Sequence, residues 1–411
     1  MKTKFQRRLT SASSTLSVAA VTKIHVCLVS DQILANLIPA LMERPDKVAL
    51  ACSAKMSDKK IDSRLKKLLE REGIAVDLYG DAPDTDLSTI QEFAFELADK
   101  IEKGHPGAEI VLNATGGTKL MALGFVEMFR GIARRIIYTD TDHRRIETLP
   151  DDKTAAHAAT PMTDVLDVPR YLAAQGLAYR RAASDDTHWC GRAASRKAAA
   201  KYLACHAHKL DSFIGAMNRL ADLAFAKSDQ LTEPRQAFEY APHPRSDWAG
   251  ALRELSRAGL LGWSEDSAEI VFIDTERTQF LRGGWLEEYA WHILRDENVF
   301  DARLGIEIAS DHAGLTKNEL DVLATHGNQL LFVECKTLRF NPDENDNELA
   351  YKLDSLGKTA RGLFGATWLL SARAPTPQLI ERLRSARIRL VGPDELPRLR
   401  EAVQGWMHDT A

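Results

Sequence analysis

From Lys23 to about Leu149, short apolar runs alternate with longer stretches whose apolar residues recur at helical spacing. KIHVCLV, KVALA, IAVDLY, EIVLN and RRIIYT are brief and partly β-branched, the pattern of buried strands. Between them, IDSRLKKLLEREG and STIQEFAFELADKIEKG read as amphipathic helices, with Gly73 and Gly104 where helix ends belong. Alternating strands and helices predict a mostly parallel sheet covered on both faces, the doubly wound α/β class. IIYTDTDHRRIETL reads as two strands across a polar turn, an antiparallel end to that sheet.

Residues 150–164 (PDDKTAAHAATPMTD) read as a linker. From about Val165 to Arg282 the pattern is largely helical, and WAGALRELSRAGLLGW followed by SAEIVFID suggests a helix and then a strand or hairpin, as in a winged helix. From Gly283 a third unit begins. GGWLEEYAWHIL reads as a helix, ARLGIEIAS, NELDVLATHG and QLLFVECKTLRF as strands, YKLDSLGKTARGLFG as a helix, ATWLLSA as a strand, and TPQLIERLRSARIRLVG as a helix entering a strand. The expected organisation is an extension over 1–22, an α/β unit over 23–164, a helical and winged-helix-like connecting region over 165–282, and a C-terminal α/β unit over 283–411.

Composition adds limits. The chain has 411 residues, too many for one typical domain, with 45% hydrophobic and 27% charged residues, an ordinary globular balance. A net charge of −4 gives no global basic signature, so a nucleic-acid partner would need a local basic groove. No apolar run approaches membrane-spanning length. The basic, Ser/Thr/Ala-rich first 22 residues fit a flexible extension better than a signal peptide. The five cysteines are odd in number and form no CxxC pair, which fits a reducing cytoplasm. Cys190, Cys205, His206 and His208 match no zinc spacing, and Trp263, Trp285, Trp291 and Trp368 read as core.

Two motifs carry chemistry. In a strand, residues two apart share a face, so Glu334 and Lys336 line one face of LLFVECK with Phe332, and Glu319, Asp321 and Leu323 one face of NELDVLA. Charges in such apolar strands cost several kcal/mol, roughly, unless compensated. Two carboxylates on adjacent strands beside a lysine suit a divalent cation that prefers oxygen, Mg²⁺ or Mn²⁺. Such a metal activates water and stabilises phosphoryl charge, with Lys336 positioned to assist the attack. Taken alone, ExK on a strand is also the pattern of a solvated ion pair.

The second motif is EIVLNATGGTKLMALGF. A strand ends at Asn113, Ala-Thr-Gly-Gly-Thr-Lys follows, and a helix begins. Gly116 and Gly117 permit close backbone approach, the helix N-terminus offers N–H groups to an anion, and Thr115, Thr118 and Lys119 add donors. It is neither a Walker A loop nor GxGxxG, although a Gly-Gly pair is also an ordinary tight turn. VSDQILAN places Ser30, Asp31, Gln32 and Asn36 after the first strand, where ligands of open α/β sheets bind.

The C-terminal set resembles the restriction-endonuclease-like PD-(D/E)xK nucleases. That resemblance implies a metal site of Glu287, Asp321, Glu334 and Cys335 holding Mn²⁺ or Mg²⁺, with Asp321, Glu334 and Lys336 catalytic. Leu320 stands where the family's Pro would be, and Glu288 is an alternative to Glu287. Lys352 and Arg361 are candidate phosphate-backbone contacts. NATGGTKLM and VSDQ…N resemble the ligand loops of the CARF domain, the Rossmann-like sensor of cyclic oligoadenylates, with Ala35 where relatives often carry Pro. Asn36, Asn113, Thr115, Gly116, Gly117, Thr118 and Lys119 join Ser30, Asp31 and Gln32 as the implied ligand-binding residues. The order of the motifs is similar to that of the CARF-fused nucleases of type III CRISPR systems. It implies a homodimer, while the cysteine usage and the lack of a long apolar run give the expectation of a cytoplasmic protein with no membrane association. A cyclic oligoadenylate, taken as cyclic tetra-adenylate, would lie across its two-fold axis and activate cleavage of DNA, or also RNA. The alternatives are a ligand-controlled transcription regulator and a ring nuclease acting on the messenger itself.

Overall fold

The computed structural model describes residues 21–150, 158–239, 244, 246–265, 267–310, 318–338, 349, 351, 353 and 365–409. Lys352, Arg361 and nearly all of the expected helix around them lie outside the described residues, as does residue 1–20 of the extension.

The first sheet has the order β3-β2-β1-β4-β5-β6-β7. Its strands are β1 (Lys23–Leu28), β2 (Lys47–Ala51), β3 (Ala75–Tyr79), β4 (Glu109–Asn113), β5 (Arg135–Asp140), β6 (Arg145–Thr148) and β7 (Thr160–Pro161). β1 to β5 pair in parallel, and β6 pairs antiparallel with β5, as the polar turn in IIYTDTDHRRIETL predicts, while β7, within the segment read as a linker, adds an antiparallel edge strand. Period-two alternation sends Ile24, Val26 and Leu28 against the helices Leu87–Gly104 and Lys119–Phe129. Cys27 faces the opposite layer, built on the helices Leu34–Glu43 and Ile61–Arg71. Asp86 and Thr118 cap the first pair of helices by accepting from the N–H groups of Thr89 and Met121.

The middle region contains the helices Thr187–His206, Asp211–Phe225 and Asp247–Arg257 and a small sheet, β10 (Leu261–Trp263), β11 (Glu269–Phe272) and β9 (Arg235–Ala237). After the last helix the structure has the β10–β11 hairpin, one of the two forms that the pattern allowed. Two strands depart from the predicted helical pattern: β9, which pairs with β11, and β8 (Leu177–Ala182), which joins the edge of the C-terminal sheet. That sheet has the order β16-β15-β14-β13-β12-β8, with β12 (Asp301–Ser310), β13 (Asn318–His326), β14 (Gln329–Lys336), β15 (Ala366–Ser371) and β16 (Arg389–Val391). It lies between two apolar layers. One contains Trp285, Trp291 and Trp368 with the middle helices. The other runs without a break from Ile306, Leu320 and Phe332 to Leu37, Leu65 and Leu68 of the first unit. The two α/β units thus share a core. No helix among the described residues is long and apolar enough to cross a membrane.

A second seam joins the units at the β13–β14 turn. Asn328 accepts from the N–H groups of Val165 and Leu166 at 2.9 and 3.2 Å, and its own N–H donates to Asp164 at 2.8 Å. Its amide donates to the Thr163 carbonyl at 2.8 Å. Arg144, at the tip of the β5–β6 hairpin, packs over Gly327 in the same turn.

One buried group on the helix Trp285–Asp296 makes stability depend on pH. The His292 imidazole donates to the Ala193 carbonyl at 3.1 Å. Burial pushes its pKa down to about 4, against the pull of that hydrogen bond. At neutral pH both folded and unfolded forms are uncharged. Below about 6.5 the unfolded chain takes the proton first, so stability falls as pH drops from there to about 4, by roughly 3 kcal/mol. His292→Gln should flatten that part of the profile. Urea midpoints at several pH values test this, and a variant that loses as much stability in acid as the parent would exclude His292 as the source.

Candidate functional site

The pairing of β13 with β14 runs from His326↔Gln329 to Val322↔Val333. Beyond it β13 continues against β12, and β14 continues against β15. Asp321 stands where the two strands part. Its Oδ2 accepts from the backbone N–H of Cys335 at 2.7 Å, in place of a strand carbonyl. Strict alternation is broken at this point. Leu320 and Leu323 face one core layer while Val322 faces the other, and on β12 Leu304 and Ile306 likewise face opposite layers. The left-handed Gly305, with φ 62°, makes that reset without the strain a side chain would bring. Glu319, Asp321 and Leu323 therefore do not form the single strand face that a two-residue period predicts.

On β14 the alternation holds. Lys336 donates to Glu334 Oε1 at 2.6 Å, and Glu334 is 1% exposed. Beside them opens a cavity of about 480 Å³ whose wall includes Arg282, Glu287, Glu319, Cys335, Lys336 and Thr337. Glu334 lies behind that wall. The Glu287 carboxyl is pushed well above its usual range by burial and then by the charges of Asp321 and Glu319, with Lys336 opposing. Burial would lower the Lys336 ammonium, but the Glu334 and Asp321 carboxylates outweigh it and push it up.

The adjacent acid has another role. Glu288 binds Arg196 of the helix Thr187–His206 through contacts of 2.6 to 2.9 Å, both side chains being buried. Arg196 also reaches Glu276 at 2.7 Å. Of the two acids, Glu287 is the one set among Asp321, Glu319 and Lys336. Cys335 does not offer a thiolate: burial pushes its thiol well up, and its N–H is used by Asp321. Glu319, outside the predicted site set, is a further acid on the cavity wall.

The donor set suits a hard divalent cation, since Glu287, Glu319, Asp321 and Glu334 present only carboxylate oxygen. Among the described residues, however, no three His, Cys, Asp or Glu side chains are arranged to hold a metal ion. Lys336 on Glu334 and the Cys335 N–H on Asp321 engage oxygens that an ion would need. The chemistry of the set fits the group, and binding would require these side chains to turn. Cys190, Cys205, His206 and His208 form no such arrangement either.

In the first unit the two predicted loops are knitted together from below. Asn36 donates to the Leu28 carbonyl at 2.7 Å. Asn113 donates to the Ala35 carbonyl at 2.8 Å and to the Asn36 side chain at 3.1 Å. Both residues are fully buried, so they shape the loops instead of facing a ligand. Thr115 donates to Asn113 Oδ1 at 2.6 Å and accepts from the Thr139 N–H on β5 at 2.7 Å. A Cβ on Gly116 would stand 1.9 Å from the Leu28 carbonyl oxygen, so only glycine fits where the loops touch. Gly117 completes the turn. Asp31, Gln32, Thr118 and Lys119 are exposed around this platform, with Ser30 half-buried. Lys59, absent from the predicted set, adds a cation by pairing with Asp31 at 2.8 Å.

Comparison with known proteins finds relatives of both units. Residues 24–171 match the family described as Card1 CARF domain, and residues 274–410 the family described as Card1-like, endonuclease domain. Among solved structures, protein VC1899 from Vibrio cholerae superposes with a TM-score of 0.81 at 22% identity, over 95% of this chain and 99% of that one. Can2 from Sulfobacillus thermosulfidooxidans, in complex with cyclic tetra-adenylate, gives 0.72 at 25% identity over 95% and 98%. A type III CRISPR defence DNA nuclease activated by cyclic oligoadenylate gives 0.50 at 17% over 86% and 46%. No curated protein matches the chain. The chain thus joins a CARF domain of the Card1 family, at residues 24–171, to an endonuclease domain of the Card1-like family, at residues 274–410.

Proposed function

We propose that the protein is a metal-dependent endonuclease of antiviral CRISPR defence, switched on by a cyclic oligoadenylate. The observation that carries the reading is the meeting of Glu287, Asp321, Glu319 and Glu334 around Lys336, with Glu287, Glu319 and Lys336 on the wall of a cavity and Glu334 behind it. Glu287, Asp321 and Glu334 would hold Mn²⁺ or Mg²⁺, which supplies an activated water and charge stabilisation at the scissile phosphate. Lys336 orients the attacking water and stabilises developing charge. DNA is the preferred substrate, with RNA also cut.

The activator is a ring such as cyclic tetra-adenylate, the molecule held by Can2. It contacts Asp31, Gln32, Thr118 and Lys119 from both protomers of a homodimer, the N-terminus of the helix Lys119–Phe129 receiving phosphate. Leu87, Phe95, Leu120 and Leu123, exposed on two adjacent helices, are an apolar surface suited to the dimer contact. The shared core and the Asn328 seam, on the hairpin that carries Asp321 and Glu334, provide a mechanical route between the ligand loops and the nuclease. Asp321 and Glu334, engaged by Cys335 and Lys336, fit a resting state that the activator converts.

The test is cleavage of plasmid, single-stranded DNA and RNA with Mn²⁺ or Mg²⁺, with and without cyclic tetra-adenylate. Cutting should require both metal and ring. No cutting under any condition would reject the assignment. A mobility shift without cutting would favour the second reading, a regulator that reads DNA with the helix Asp247–Arg257 and its hairpin.

A further inference from the structure

The helix Ile61–Arg71 carries Arg64, Lys67 and Arg71, and Lys60 immediately precedes it. These four positions fall at intervals of three and four, on one face of the helix. They line a groove of about 330 Å³ whose apolar floor includes Leu68 and Leu177. No acidic side chain among the described residues lines it, and none of the four cations forms an ion pair with a described residue. The acids of the same helix are used elsewhere: Asp62 accepts from Ser57 at 3.0 Å and Glu70 pairs with Lys66 at 3.6 Å.

Like charges at this spacing cost a few tenths of a kcal/mol per pair, roughly. In a chain of net charge −4, four uncompensated cations along one concavity are a local concentration that a polyanion would offset. A solvated helix face would account for the charges but not for their collection around a groove. Direction points to the occupant. Leu177 and Ala178 in the groove begin β8, and Ala183 just past its end lines the catalytic cavity. The interval is roughly 20 Å of extended chain, about six base pairs of duplex. Arg180 and Arg181 are exposed along the way, the latter paired with Glu307 at 2.5 Å.

We propose that this groove is a second nucleic-acid contact, holding the phosphodiester backbone of the substrate beyond the cleavage site. The proposal rests on the nuclease reading for its substrate, but its binding can be measured without cleavage. Neutralising two exposed cations, Lys60→Gln with Lys67→Gln, removes up to two phosphate contacts and touches no residue of the catalytic or sensing machinery. The measurement is the affinity of the full-length protein for long and short DNA over a range of salt, with Mn²⁺ replaced by Ca²⁺. Cleavage of both lengths and binding of cyclic tetra-adenylate are followed in parallel.

The expected result has three parts. The slope of log affinity against log salt falls by roughly 1.5–2 for long DNA. KM rises for long DNA with kcat unchanged, while a DNA too short to span the interval is cut as before. Affinity for cyclic tetra-adenylate stays the same. An unchanged salt slope overturns the proposal, as does a loss confined to cyclic tetra-adenylate binding, which would assign the groove to the activator. If the parent cuts nothing yet the slopes differ as stated, the groove stands and the nuclease reading fails. If the parent cuts and the slopes coincide, the nuclease reading stands and the groove fails.

Discussion

Glu334→Ala is expected to lower activator-dependent cleavage by at least ~10²–10³-fold while leaving cyclic tetra-adenylate binding intact. The physical reason is the position of the side chain. Glu334 is buried at the end of β14, bound to Lys336, and set with Asp321 where β13 and β14 part. A carboxylate in that setting costs stability, because burial removes it from water. Its removal should therefore leave the thermal midpoint level or raise it, since Lys336 is part-exposed and can turn to solvent. A structural ion pair predicts the reverse, loss of stability with activity retained. Melting curves and single-turnover cleavage on the same preparation distinguish the two, and a Glu334→Ala protein that cuts like the parent would remove Glu334 from the catalytic set.

Arg196→Leu is expected to destabilise the protein by about 3–5 kcal/mol, a large part of the ~5–15 kcal/mol that a folded domain has. Arg196 is buried in the middle region, and Glu288 is its buried partner on the helix that bears Glu287. Burial alone would lower the guanidinium, but the hydrogen bonds and charge of Glu288 outweigh it and hold it up. Truncating the arginine leaves a carboxylate buried without that cation. The double variant Arg196→Leu with Glu288→Leu should recover most of the loss, because no lone charge then stays behind. Denaturant midpoints of the three variants close the cycle. Equal losses in the single and double variants would show that the pair is not coupled. Because Glu288 adjoins Glu287, the single variant should also cut poorly at temperatures where it remains folded.

The pattern of apolar positions was sufficient for the first unit. The parallel strands, three of their covering helices and the antiparallel β5–β6 end were legible, because each strand alternates between two covered faces and each of those helices has an apolar face, whereas the helix Leu34–Glu43 was read as part of a ligand loop. The Gly-Gly loop was legible because its tight turn needs residues of a particular kind. ExK on β14 was legible because two-residue alternation holds there.

Three things were decided only by tertiary structure. The face of Asp321 was one: the reset at Gly305 depends on the partner strand, which a local period does not include. The choice between Glu287 and Glu288 was another. The two are adjacent and alike in sequence, and only the arrival of Arg196 from the helix Thr187–His206 commits Glu288. The third was the role of Asn36 and Asn113, polar residues that a linear reading assigns to a ligand and that the fold uses to tie two loops together in the buried interior. The sequence by itself determined which segments become strands and helices and which side chains carry charge, since propensity and burial pattern act over a few residues. The tertiary structure decided which of those charges meet, because electrostatic partners come from any distance along the chain and a buried charge is tolerated only where its partner arrives.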